Sequence, residues 1–129
     1  IITWEGGKAL SDGECLRCPF VVQDMIDRHK KHYLERYGAV PAFRASVHYG
    51  EIVAGEIGDV RREIAYVGDT LNAAARLLDA AKELGRSVLV SDELLDQTTL
   101  PDGLTAEKLP TLSVRGRAQP LGVSALARG

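Results

Sequence analysis

The stretch Tyr66-Val67-Gly68-Asp69-Thr70-Leu71-Asn72-Ala73-Ala74-Ala75-Arg76 sets an amide and a guanidinium four residues apart. Gly68-Asp69 reads as the turn from a strand into a helix, so Asn72 falls in the first helical turn. Residues four apart share a helix face. The first turn carries the positive end of the helix dipole. A planar, permanently charged guanidinium suits phosphate, so this pair fits a sugar phosphate. Ala73, Ala74 and Ala75 let another surface pack closely. The plain alternative is a solvated helix face with an Asn and an Arg on it. Arg115 and Arg117 flank Gly116 just before the last strand. They suit either a phosphate or water, and spacing does not decide between the two.

Two other groupings carry less. The series His48-x-Gly50, then Gly55 and Gly58, places glycines at strand ends, where they mark turns or close backbone approach. His48 reads as a packed, hydrogen-bonded residue, because titrating chemistry needs a partner that the sequence does not name. Cys15-x-x-Cys18 and His29-x-x-His32 superficially resemble a zinc pattern. Both cysteines lie inside a helical pattern. The histidines follow about three turns later, roughly 15–25 Å along the axis, and one metal ion cannot bridge that span. Cys15 and Cys18 are therefore expected to be small buried hydrophobes, with His29 and His32 in solvent.

These residues need a frame, and 129 residues suffice for one domain and not two. The chain is 45% hydrophobic and 26% charged, which is ordinary for a globular protein and argues against disorder. A net charge of -2 leaves no general footprint for nucleic acid. One Trp, four Tyr and two Phe are too few for an RNA-stacking sheet. Apolar runs last only a few residues, so no segment spans a membrane. Two cysteines make no disulfide framework, and a reducing, cytoplasmic setting is the default.

Ile1 to Trp4 reads as a strand end, and the absence of an initial Met suggests a cut through a domain. Ser11 and Glu14 fit a capping box, opening a helix near Asp12 that Pro19 should kink and Gly38 should end. Phe43 to Tyr49 and Glu51 to Ile57 read as strands, with Gly50 as their tight connection. Glu63 to Val67 reads as a third short strand. Thr70 to Leu84 is strongly helical and stops at Gly85. Ser87 to Val90 is a strand, and Ser91 caps a short helix with Asp92 and Glu93 in its first turn. Pro101-Asp102-Gly103 is a turn. Leu109 to Val114 and Leu121 to Ala127 are the last strands. This order predicts an α+β or α/β sandwich, with helices over one face of a mostly antiparallel sheet.

Taken together, the residues resemble the class III nucleotide cyclase family of adenylate and guanylate cyclase catalytic domains. The likeness rests on Ser46-Val47-His48-Tyr49-Gly50-Glu51-Ile52-Val53-Ala54-Gly55-Glu56-Ile57-Gly58, on Val67 to Asn72, and on Ala74-Ala75-Arg76-Leu77. It continues weakly through Ser87 to Ser91 and Val114 to Arg117. The Cys15-Leu16-Arg17-Cys18 helix and Arg62-Glu63-Ile64 resemble the bacterial branch called rhizobial-type. The likeness covers nearly the whole chain.

The resemblance implies a ferredoxin-like cyclase fold and a phosphorus-oxygen lyase. The expected reaction forms a 3′,5′-cyclic nucleotide and pyrophosphate from ATP or GTP, with cAMP favoured, in intracellular signalling. It implies a homodimer with sites at the interface, and two Mg or Mn ions. The ribose-orienting asparagine falls on Asn72 and the transition-state arginine on Arg76. The triphosphate-binding basic residue falls on Arg115. The metal aspartates and the purine-selecting lysine would lie upstream of Ile1, so the chain alone is expected to be inactive. The partner of that lysine falls on Ala65, which has no side-chain donor or acceptor. Base selection then rests on backbone groups near Tyr66, or discrimination is poor. Ala65 also motivates an alternative, a non-catalytic nucleotide-sensing or dimerisation domain. Asn72 and Arg76 argue against it, since a decayed site has no need of them.

Overall fold

The computed structural model describes Ile2, Trp4, Leu10 and residues 12–50, 53–57, 63–67 and 69–129, with residues 53–57 and 63–67 described in backbone only. Helix α1 spans Glu14–Arg28 and α2 spans Lys30–Tyr37. Strands β1 (Ala45–Val47), β2 (Val53–Ile57) and β3 (Glu63–Val67) follow, then helix α3 (Asp69–Leu84). Strand β4 (Val88–Ser91), the single-turn α4 (Asp92–Leu95), and strands β5 (Leu104–Leu112) and β6 (Leu121–Arg128) complete the order.

The main sheet runs β1-β4-β6-β5, with β1 parallel to β4 and the other pairs antiparallel. A parallel pair needs a long crossover, and here β2, β3 and α3 fill it. All four residues of β4 are buried, as are Leu121 and Val123 to Leu126 of β6. Such continuous burial means cover on both faces. Leu89, Leu121, Val123 and Ala125 pack with Ala73, Leu77, Ala80 and Ala81 of α3. Val47, Val88, Val90 and Leu126 pack with Cys15 and Leu16 of α1 and Leu94 of α4. The mixed α+β class is as expected, but the expectation of helices on one face is corrected: helices cover both. The reason is the alternation of side chains along a strand, which is hidden when every position is apolar. Strand β5 lies at one edge, guarded by Glu107, Lys108 and Pro110, with a register irregularity between Leu109 and Leu112.

Among the described residues, β1 and β2 do not pair as the hairpin expected at Gly50. Strand β2 pairs antiparallel with β3 in a separate ribbon, Val53 opposite Val67, while β1 pairs with β4. Gly50 instead permits a close approach, since a Cβ there would stand 2.5 Å from Thr70 Oγ1 at the start of α3.

The single helix expected from Asp12 to Gly38 is two. His29 Nδ1–H donates to the Met25 carbonyl at 2.8 Å, occupying the acceptor that a continuing helix gives to the His29 N–H. That N–H turns to Ile26 O at 3.1 Å, and α2 starts afresh. The helix breaks there, ten residues beyond Pro19, which lies buried inside α1. Gly13 stands at the N-cap of α1, and Ser11 lies outside the described residues. Gly38 caps α2 as expected, its N–H donating to Leu34 O. Ile1 and Thr3 lie outside the described residues, and Ile2 and Trp4 are in no strand.

Candidate functional site

Helix α3 buries Ala73, Leu77, Ala80 and Ala81, a helical stripe of mostly small residues that seats it close on the sheet. Its seat is fixed by Ser46 of β1, whose hydroxyl donates to Ala74 O at 2.7 Å. Gly85 ends it as expected: Arg86 N–H reaches Ala81 O at 2.9 Å and Gly85 N–H reaches Lys82 O at 3.3 Å. The neighbouring stripe, Asn72, Ala75, Arg76 and Asp79, is left to line a cleft.

The other wall of the cleft is the turn before β6. Val114 is buried in the α3 core, and its carbonyl accepts from Arg117 N–H at 3.1 Å. Gly116 has φ 86, a value that L side chains avoid, and it closes a turn with Arg115 at the first central position. Arg115 is thereby presented to the cleft, which measures about 490 Å³ and is lined by Asn72, Ala75, Arg76, Asp79, Val114 and Arg115. A larger hollow of about 560 Å³ is lined, among the described residues, by Asp24, Asp27 and Arg28, all of α1.

The structure therefore gathers Asn72, Arg76 and Arg115 in one place and separates Arg115 from Arg117. Arg117 is ion-paired with Glu93 on α4. Arg115 has no ion-pair partner among the described residues, and Arg76 has a loose one, Nη1 to Glu83 Oε2 at 3.6 Å. Two cations with little neutralisation face one cleft, which suits a polyanion. The side chains of Ala65 and Tyr66 lie outside the described residues, while their backbones pair with Gly55 and Ala54 in the ribbon. Sequence reasoning missed Asp79 as a lining residue. Its signal was available, because it follows Asn72 by seven and Arg76 by three on the same helix face.

His48 is half-buried and hydrogen-bonded, as expected. Its Nδ1 lies 2.6 Å from Ser91 Oγ, and that oxygen also accepts from Leu94 N–H as the N-cap of α4. The serine proton can then point at Nδ1, which requires that nitrogen to be unprotonated. Burial pushes the His48 imidazole below its ordinary pKa, nearby Glu93 opposes that, and the Arg117 cation adds to it. Cys15 is buried and its thiol is pushed up by that burial, Cys18 is half-buried, and His29 and His32 are exposed.

No protein-family model matches the chain. Adenylate cyclase 2 of Rhizobium meliloti (strain 1021) is 40% identical over 129 residues, all of this chain and 36% of the relative. Adenylate cyclase 1 of the same organism is 30% identical over 110 residues, 83% of this chain and 16% of that protein. The chain thus spans about a third or less of these relatives. The crystal structure of the adenylyl cyclase CyaB from P. aeruginosa superposes with a TM-score of 0.63 at 17% identity, over 85% of this chain and 55% of that one, a likeness of fold.

Proposed function

The chain belongs to the class III nucleotide cyclase family, and from that premise we propose that the protein makes 3′,5′-cyclic AMP and pyrophosphate from ATP. The observation that carries this reading is the convergence of Asn72, Arg76 and Arg115 from two separate elements on one cleft. In it, Arg115 binds the triphosphate. Asn72 holds the ribose so that its 3′-hydroxyl faces the α-phosphorus in line. Arg76 donates to the α-phosphoryl oxygens as their charge develops. The non-catalytic reading gives Arg76 no developing charge to meet, and no observation at the cleft favours it.

Family chemistry draws on two Mg or Mn ions, and the cleft residues do not fit that pair. Among the described lining residues one carboxylate, Asp79, stands with two guanidiniums, and hard divalent ions need several oxygen ligands. Among the described residues no group of three His, Cys, Asp or Glu is placed to hold an ion. The roles given to Asn72, Arg76 and Arg115 therefore stand without a metal step. A cleft open on one side also suits completion by a second copy of the chain, as a homodimer. No described helix is long and apolar enough to cross a membrane.

The test is a cyclase assay of the full-length protein with ATP and GTP separately, in Mg and in Mn. Cyclic AMP from ATP is the expected product. Absence of cyclic product from both nucleotides in both ions would overturn the reading. With Ala65 unable to read the base by its side chain, appreciable GTP turnover is also expected.

A further inference from the structure

The Arg76 side chain lines the cleft, yet it is also drawn along α3. Its guanidinium meets Glu83, seven residues on. At 1.5 Å per residue Glu83 lies about 10 Å toward the C-terminal end of α3, while Asn72 lies about 6 Å toward the N-terminal end. Helical side chains lean toward the N-terminus by default, so a C-terminal reach has a cause. The Glu83 carboxylate supplies it, leaning back along its own natural direction, with the negative helix end behind it. Asp79 lies between them in sequence and lines the cleft, whereas Glu83 is not among the lining residues.

We propose that Glu83 is a positioning residue that holds Arg76 at the rim of the cleft until a polyphosphate draws it in. This rests on the reading of Arg76 as a substrate-facing cation. The pair is weak by construction: 3.6 Å apart, with side chains 34% and 66% exposed. Exposed pairs of this kind shift an equilibrium by about fivefold at most. That strength suits a reversible hold, because a triphosphate with several charges outcompetes one carboxylate.

The experiment compares wild type, Glu83→Gln, Arg76→Gln and the double variant in the full-length protein. Binding of inorganic tripolyphosphate is measured at low and high salt. Glu83→Gln is expected to tighten binding about two- to threefold at low salt, and to lose that gain near 1 M salt, where screening acts within about 3 Å. In the Arg76→Gln background the gain should vanish, because it acts through Arg76. A gain that persists there marks simple charge repulsion and overturns the proposal, as does no gain in the single variant. If Arg76→Gln alone leaves both binding and turnover unchanged, the reading of Arg76 falls and the hold falls with it. If Arg76→Gln weakens binding while Glu83→Gln does nothing, only the hold is lost. Nucleotide kinetics give a further check: the Glu83→Gln gain should appear in KM and leave kcat within twofold.

Discussion

On one side of the Val114–Arg117 turn, Arg115 faces a cleft with no carboxylate partner among the described residues. On the other side, Arg117 is paired with Glu93, beside a half-buried His48 that is bonded to Ser91. Close by, Asp92 accepts from Ser124 Oγ at 2.7 Å and pairs with Lys108. The α4 side matches each of these charges to a partner, and the α3 side leaves its cations under-neutralised. Charge already matched by the protein holds the fold together. Charge left over is available to a ligand. The same Arg-Gly-Arg turn supplies one residue to each purpose.

The largest test of this contrast is Arg76→Ala. Removing a donor that acts in the transition state should lower kcat about 100- to 1,000-fold, with a smaller change in KM. Unchanged turnover would remove Arg76 from the chemistry. Next comes the pair of turn arginines. Arg115→Ala should raise KM for nucleotide about tenfold, from a lost charge-assisted contact. Arg117→Ala should leave KM alone and cost up to about 1 kcal/mol of stability, because its partner is half-exposed. If both variants raise KM equally, the two sides of the turn do not differ in kind.

The smallest expected effect concerns pH. The folded-state pKa of His48 is depressed, so the folded protein binds fewer protons there than the unfolded chain. Its contribution to stability is fully present above the ordinary histidine value of about 6.5 and is lost as pH falls below it. Melting curves from pH 7.5 to 5 should therefore fall more steeply for wild type than for His48→Gln. Parallel curves would mean that the His48–Ser91 bond does not carry this dependence.

Much of the local structure was legible in the sequence. Helix α3 begins one residue before its expected start and ends where expected, Glu63 to Val67 is a strand, and Ser91 caps α4. The shared face of Asn72 and Arg76 was equally legible, and it reaches the cleft. The misreadings are of another kind. Gly50 looked like a hairpin turn and is a contact with Thr70. His29 looked like one more helical residue, yet its ring takes the carbonyl that the helix needed. In both cases a short sequence signal had two physical uses, and a neighbour chose between them.

What the sequence determined by itself follows from short-range sterics and hydrogen bonding: the 3.6-residue stripe of α3, its Gly85 stop and the serine cap of α4. Tertiary structure alone decided that β1 pairs with β4 and not with β2, that helices cover both sheet faces, and that Arg115 rather than Arg117 joins Arg76. Those outcomes depend on residues distant along the chain meeting in space. The sheet faces are settled by burial against α3 on one side and α1 and α4 on the other, and the turn by burying Val114 and pairing Arg117 with Glu93, none of which is written in any local pattern.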